Sequence, residues 1–138
     1  MNKNYEILDH TADIRIRVSG ISLSHLFVNA AAAMFDIIAE NIACNKQETK
    51  ALIIQEAEDK DELFINWLNE LHSLSAAKNI IFKEFKVNKL TETSLEISCT
   101  GYPATAFKIS TEIKAATYHE LKIQEKDKGW EAEVIFDV

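Results

Sequence analysis

The hydrophobic pattern changes period along the chain. From Tyr5 to Val18 the second half alternates: Ile14, Ile16 and Val18 fall on one parity, Asp13, Arg15 and Arg17 on the other. Period two is that of a half-buried strand, and Ser19-Gly20 follows as a turn signal. The period then lengthens. Leu23, Leu26, Phe27, Ala30, Met34, Ile37 and Ile38 recur at three and four residues, the stripe of a helix. Ser22 offers the N-cap hydroxyl, and Ala30-Ala31-Ala32-Ala33 combines high helix propensity with close packing. This helix is predicted to end near Asn41. Leu52-Ile53-Ile54 reads as a short strand before the acidic turn Glu58-Asp59-Lys60-Asp61. Asp59 and Glu62 have capping-box spacing. Leu63, Phe64, Trp67, Leu68, Leu71 and Leu74 carry a second helix, from about Lys60 to Ala77.

Everything after Asn79 reads as strand. Ile81, Phe85 and Val87 come first, then a turn at Thr91-Glu92-Thr93. Leu95, Ile97 and Cys99 alternate with Glu96, Ser98 and Thr100, and Gly101-Tyr102-Pro103 is predicted to break the chain. Ile113 to Ala116 and Tyr118 to Gln124 look extended. Asp127-Lys128-Gly129 signals a hairpin. Trp130, Ala132, Val134 and Phe136 then alternate with Glu131, Glu133, Ile135 and Asp137. The pattern predicts an α+β fold: two helices packed on a mainly antiparallel sheet, one compact domain over residues 1–138.

Composition narrows the function. The charge is −7, from 22 acidic and 15 basic residues. Nucleic-acid binding rests on neutralising phosphates with Lys and Arg, so no direct stable nucleic-acid ligand is expected. Anionic membrane surfaces are disfavoured for the same reason. No apolar run approaches a membrane span of about 20 residues, and the first residues lack the apolar core of a signal peptide. A cytoplasmic location is the expectation. Cys44 and Cys99 are far apart and form no C-x-x-C pair, so each is expected to be a buried thiol. His25 and His72 fall in the helix patterns as surface or boundary residues. There is no P-loop, G-x-G-x-x-G, H-E-x-x-H, G-x-S-x-G or EF-hand loop.

Three segments concentrate polar chemistry within apolar surroundings. Asp9-His10-Thr11-Ala12-Asp13 could bind a metal, orient a proton, or form a turn whose side chains bond backbone N–H groups. At the far end, Phe136-Asp137-Val138 places Asp137 on the polar parity of its strand, next to the α-carboxylate of Val138. With Asp13 from another strand these oxygens would suit Ca²⁺ or Mg²⁺, water or a partner completing a shell of about six to eight oxygens. The plain alternative is a frayed end with a solvated Asp. In Lys114-Ala115-Ala116-Thr117-Tyr118-His119, Lys114 could pair with a carboxylate and His119 could serve as a proton or metal group. A solvated strand face is the alternative for both.

The sequence resembles the archease family. The resemblance is carried by Tyr5-Glu6-Ile7-Leu8-Asp9-His10-Thr11-Ala12-Asp13-Ile14, by Leu26 through Ile38 with its Ala-Met-Phe-Asp core, and by Trp67-Leu68-Asn69-Glu70-Leu71. Glu112 through His119 and the closing Val134-Ile135-Phe136-Asp137-Val138 complete it. The His-Thr-Ala-Asp and Lys-Ala-x-Thr-Tyr-His blocks together are specific. The resemblance implies a compact α+β domain that is a non-enzymatic protein cofactor. Its partner would be the tRNA-splicing RNA ligase, which attaches GMP from GTP to its own histidine before joining RNA ends. The family speeds that guanylylation and restores multiple turnover. The resemblance further implies a divalent cation, calcium first and magnesium or manganese as alternatives, at Asp13, Asp137 and the main-chain oxygen of Val138. It assigns partner activation to His10, Lys114 and His119. Ala106-Phe107-Lys108-Ile109 departs from the His and Arg expected there in many members. Two competing expectations stand beside the activator. One is a small metal-dependent enzyme using Asp13, Asp137 and His10. The other is a chaperone or modulator of tRNA-modifying enzymes such as a tRNA methyltransferase.

Overall fold

The computed structural model describes residues 4–9, 11–43 and 47–138; His10 and Cys44 lie outside the described residues. In chain order the elements are β1 (Tyr5–Asp9), β2 (Ile14–Gly20), α1 (Leu23–Ile38), β3 (Ala39–Asn41), β4 (Thr49–Glu56) and α2 (Lys60–Lys78). They continue with β5 (Ile80–Leu90), β6 (Ser94–Pro103), a 3-10 turn (Ala104–Ala106), β7 (Phe107–Ile109), β8 (Ala115–Lys126) and β9 (Gly129–Asp137). The strands form three sheets, ordered β1-β2-β9-β8, β3-β7 and β4-β6-β5. Every strand pairing among the described residues is antiparallel.

Alternation along each strand decides what faces inward. Ile14, Ile16 and Val18 of β2 are buried, and so are Ala132, Val134 and Phe136 beside them on β9. Arg15 and Arg17 take the solvent face, where Arg17 meets Glu6 at 2.7 Å, Glu133 at 3.5 Å and Glu131 at 3.7 Å. Burial works against the Arg17 charge, but Glu133, Glu6 and Glu131 outweigh it and raise its pKa. Both helices touch strands of the two larger sheets: α1 packs on β2, β9 and β5, α2 on β8, β4 and β5. A single apolar core results, with Trp67, Phe27, Phe35, Phe64, Phe82 and Phe136 its largest buried side chains.

Helix ends follow local chemistry. The Ser22 hydroxyl accepts from the His25 N–H at 3.2 Å, as the pattern predicts for a cap. Asp59 Oδ1 accepts from the Glu62 N–H at 2.9 Å, and Glu62 Oε1 in turn accepts from the Glu58 N–H at 3.3 Å. The box is thus closed one residue before the cap itself. At the other end Asn79 adopts a left-handed conformation (φ 54°), which Asn tolerates well. Asp59→Ala is expected to cost about 1 kcal/mol, the usual worth of such a cap, with Asp59→Ser costing far less. Urea denaturation of both variants checks it.

Three boundaries differ from the sequence expectation, each because of a distant partner. Helix α1 stops at Ile38, not near Asn41. Ala39–Asn41 extends to pair with Phe107–Ile109, and the Ile38 carbonyl accepts from the Ser110 N–H at 2.8 Å. Strand β6 runs through Gly101 to Pro103 instead of breaking there. A Cβ on Gly101 would lie 2.9 Å from the Ile81 carbonyl oxygen, so the glycine permits close approach of β5. Pro103 closes the strand, where a missing N–H is tolerated. The two extended segments after Ile113 form one strand, β8. Its register against β9 shifts between Thr117 and Lys122, leaving an exposed bulge that contains Tyr118, His119 and Glu120.

Candidate metal centre at one end of the four-stranded sheet

The ladder between β2 and β9 ends with Ile14 opposite Phe136. Asp13 precedes Ile14 and Asp137 follows Phe136, so both residues lie at this end of the sheet, just beyond the last β2–β9 pair. Residues more than a hundred positions apart in sequence therefore meet at one sheet end. Lys114 joins them from β8: its N–H donates to the Asp137 carbonyl at 2.8 Å, and Ala115 pairs with Asp137. The Asp137 carbonyl thereby accepts one backbone hydrogen bond. Asp13, Asp137, Val138 and Lys114 are all exposed.

The neighbouring charges are matched, and these two are not. Arg15 pairs with Glu120 across the bulge, Arg17 with Glu6, Glu131 and Glu133, and Lys126 with Glu131. Among the described residues no ion pair or hydrogen bond engages the side chain of Asp13 or Asp137. Carboxylates brought to one sheet end repel one another, and a bound cation would relieve that repulsion. The donors are all hard oxygen, which fits calcium or magnesium. Among the described residues no group of three His, Cys, Asp or Glu side chains could hold a metal. A cation here would therefore need donors beyond the two side chains, from main chain, water or a partner.

The other candidate residues are dispersed. His119 sits in the exposed bulge of β8, next to Glu120, which pairs with Arg15, and His10 lies outside the described residues. Tyr118 beside it lies against the acidic start of α2: burial, then Glu62, Asp59 and Asp61, raise its phenol pKa. Cys99 is buried, and desolvation pushes its thiol up to about 12, so it is no nucleophile.

The sequence pattern did not single out Asn69. From α2 its side-chain amide donates to the Ala116 carbonyl at 3.0 Å and accepts from the Ala116 N–H at 2.8 Å. This pair of bonds imitates a neighbouring strand and fixes β8 just past Lys114. Thr117 adds a hydroxyl bond to the Ile135 carbonyl at 3.0 Å. The available signal was an Asn amid an apolar helical stripe, a residue of modest helix propensity with no cap to make. Asn69→Ala is expected to cost about 1–3 kcal/mol, because both backbone groups of Ala116 lose their partners. Faster amide exchange at Ala116, alongside a lower urea midpoint, checks it.

The comparisons agree with the geometry. The model of the Archease protein family (MTH1598/TM1083) matches residues 5–138. Protein archease of Methanosarcina barkeri is 35% identical over 142 aligned positions, covering 99% of this chain and 97% of the relative. Protein archease of Pyrococcus abyssi is 32% identical, with 99% of each chain covered. The solution structure of Methanobacterium thermoautotrophicum protein 1598 superposes with a TM-score of 0.75 at 28% identity, covering 99% of this chain and 100% of the other. A crystal structure of an archease from Thermotoga maritima, described as a possible chaperone, shares the fold with a TM-score of 0.63 at 22% identity and 96% coverage of both chains. A family model that matches almost the whole chain, together with relatives above 30% identity over nearly their full length, leads to one conclusion: this chain belongs to the archease family.

Proposed function

We propose that this protein is a non-catalytic activator of the tRNA-splicing RNA ligase, working through a divalent-cation site at Asp13, Asp137 and the Val138 main chain. The observation that carries the reading is that Asp13 and Asp137 flank the last pair of the β2–β9 ladder, with no ion pair on either side chain among the described residues. Membership of the archease family supports the same partner.

The chain's own residues divide the work. Arg15 and Arg17 are held by glutamates, so the sheet end keeps its negative charge. Asn69 and the Lys114 N–H fix β8 beside Asp137, which sets where the Lys114 ammonium emerges. Lys114 and His119, with His10, are the groups assigned to engage the ligase. A calcium ion, when bound, supplies a hard positive centre that neutralises the carboxylates and accepts oxygen donors from a partner. Activation requires that this end bind the nucleotide-competent ligase more tightly than its inactive form. A charge of −7 suits approach to a basic RNA-binding enzyme better than approach to RNA. The test is RNA joining by the cognate ligase in large substrate excess. Added protein should convert a single round into many, and unchanged product yield would contradict the proposal.

The description of the Thermotoga maritima relative as a possible chaperone favours a second reading, in which the protein assists a tRNA-modifying enzyme such as a methyltransferase. That activity would suppress aggregation of the client and survive loss of Asp13 and Asp137.

A further inference from the structure

The two larger sheets have four outer strands: β1 and β8 in one, β4 and β5 in the other. An open edge exposes unpaired backbone groups, and proteins blunt it with bulges, lysines or short length. Three of these strands are so treated. The register of β1 slips at Leu8, that of β5 at Lys83 and again at Asn88, and that of β8 between Thr117 and Lys122. Strand β5 also carries Lys83, Lys86 and Lys89.

Strand β4 is different. Its eight residues pair with β6 in one unbroken register, from Thr49–Gly101 to Glu56–Ser94. Among the described residues its backbone makes no hydrogen bond except to β6. At its centre Leu52 and Ile54, on the outer face, are 54% and 60% exposed. Lys50 and Glu56 flank them on the same face. Ile53 points inward and is buried. Lys50 has only an exposed contact to Glu48 at 3.7 Å and one to the Thr100 hydroxyl at 3.3 Å.

The order basic, apolar, apolar, acidic reads as its own complement when reversed. In an antiparallel pair of two β4 strands centred on Ile53, Lys50 faces Glu56 of the second copy, twice by symmetry, and Leu52 faces Ile54. Pairings that keep the same face outward shift by whole residues at the two-fold axis. Centring on Leu52 opposes Glu48 to Glu56 and leaves Lys50 against Ile54. Centring on Ile54 brings Lys50 to Glu58 but sets Leu52 against Glu56, on both sides of the axis. Only the Ile53 register satisfies both charge and apolar contacts, and like charges directly opposite are unfavourable.

We propose that β4 is an interface with a second copy of this chain, joining the two three-stranded sheets into one continuous six-stranded sheet about a two-fold axis at Ile53. Such an isologous edge pairing is closed, so it stops at the dimer. It lies on a different sheet from Asp13 and Asp137, so it is independent of the activator role.

Sedimentation velocity on the full chain, from about 1 μM to about 1 mM, tests it. A reversible monomer–dimer equilibrium is expected. Lys50→Glu and Glu56→Lys should each raise the dimer Kd about tenfold or more, since both symmetric pairs turn repulsive. The double variant should recover the wild-type Kd. Mixing the two single variants should yield a heterodimer, in which each contact between positions 50 and 56 across the axis again joins opposite charges. Unchanged thermal melting shows that the variants fold. A chain monomeric at every concentration would overturn the proposal. So would a dimer indifferent to the reversals, or one that neither the double variant nor the mixture restores.

Discussion

Asp13→Ala and Asp137→Ala are each expected to fold normally, to lose the response to calcium, and to fail to activate the ligase. Both side chains are exposed and lack a partner among the described residues, so truncating either removes no packing and breaks no bond. Relief of the repulsion at this sheet end should leave the metal-free protein as stable as wild type, or more stable by about a few tenths of a kcal/mol. Calcium should raise the melting temperature of the wild type, because a ligand bound only by the folded state stabilises it by mass action. Neither variant should show that rise. Loss of one of two charged donors should weaken calcium binding by about tenfold or more. Calorimetric titration together with melting curves separates this result from simple misfolding. A full calcium response in both variants would place the cation elsewhere.

The largest effect on stability is expected at Trp67. Its ring is fully buried, its indole N–H donates to the Phe27 carbonyl at 2.9 Å, and it meets the Phe85 ring edge-to-face with centroids 6.0 Å apart. It thus ties α2 to α1 and to β5. Trp67→Ala should cost about 3–5 kcal/mol, a large part of the roughly 5–15 kcal/mol available to a domain. Trp67→Phe keeps much of the packing but gives up the indole bond to the Phe27 carbonyl, which retains its intrahelical partner, for a cost of about 1 kcal/mol. Urea unfolding followed by far-UV circular dichroism measures both. A cost below about 1 kcal/mol for the alanine variant would mean that the core closes around the gap.

What was legible in the chain was whatever repeats locally. Period two at Ile14–Val18 and Trp130–Phe136 named the correct inward faces. Both helix starts were visible at Ser22 and Asp59, where a cap acts within three residues. Features that depend on a remote partner were not legible. Ala39–Asn41 leaves the helix because Phe107–Ile109 arrives beside it. Gly101 reads as a breaker until the nearby Ile81 carbonyl shows that the strand needs its small size. Asn69 looks like an ordinary polar helix position until Ala116 comes within reach. The metal centre lies between these cases. Strand parity and oxygen chemistry offered Asp13 and Asp137 as one candidate site, the family resemblance implied the same set, and the β2–β9 ladder ends between them. His119 was equally prominent in the sequence, and the register shift that places it in an exposed bulge of β8 was not legible there.

The central claim is that the paired carboxylates are the working end of an activator. The direct test is the rate at which the cognate ligase takes up GMP from radiolabelled GTP, at one fixed calcium concentration. It is measured alone, with the wild-type protein, and with folded Asp13→Ala. Clear acceleration by the wild type and the unassisted rate with the variant are expected. Equal acceleration by both proteins, or none by either, would contradict the claim.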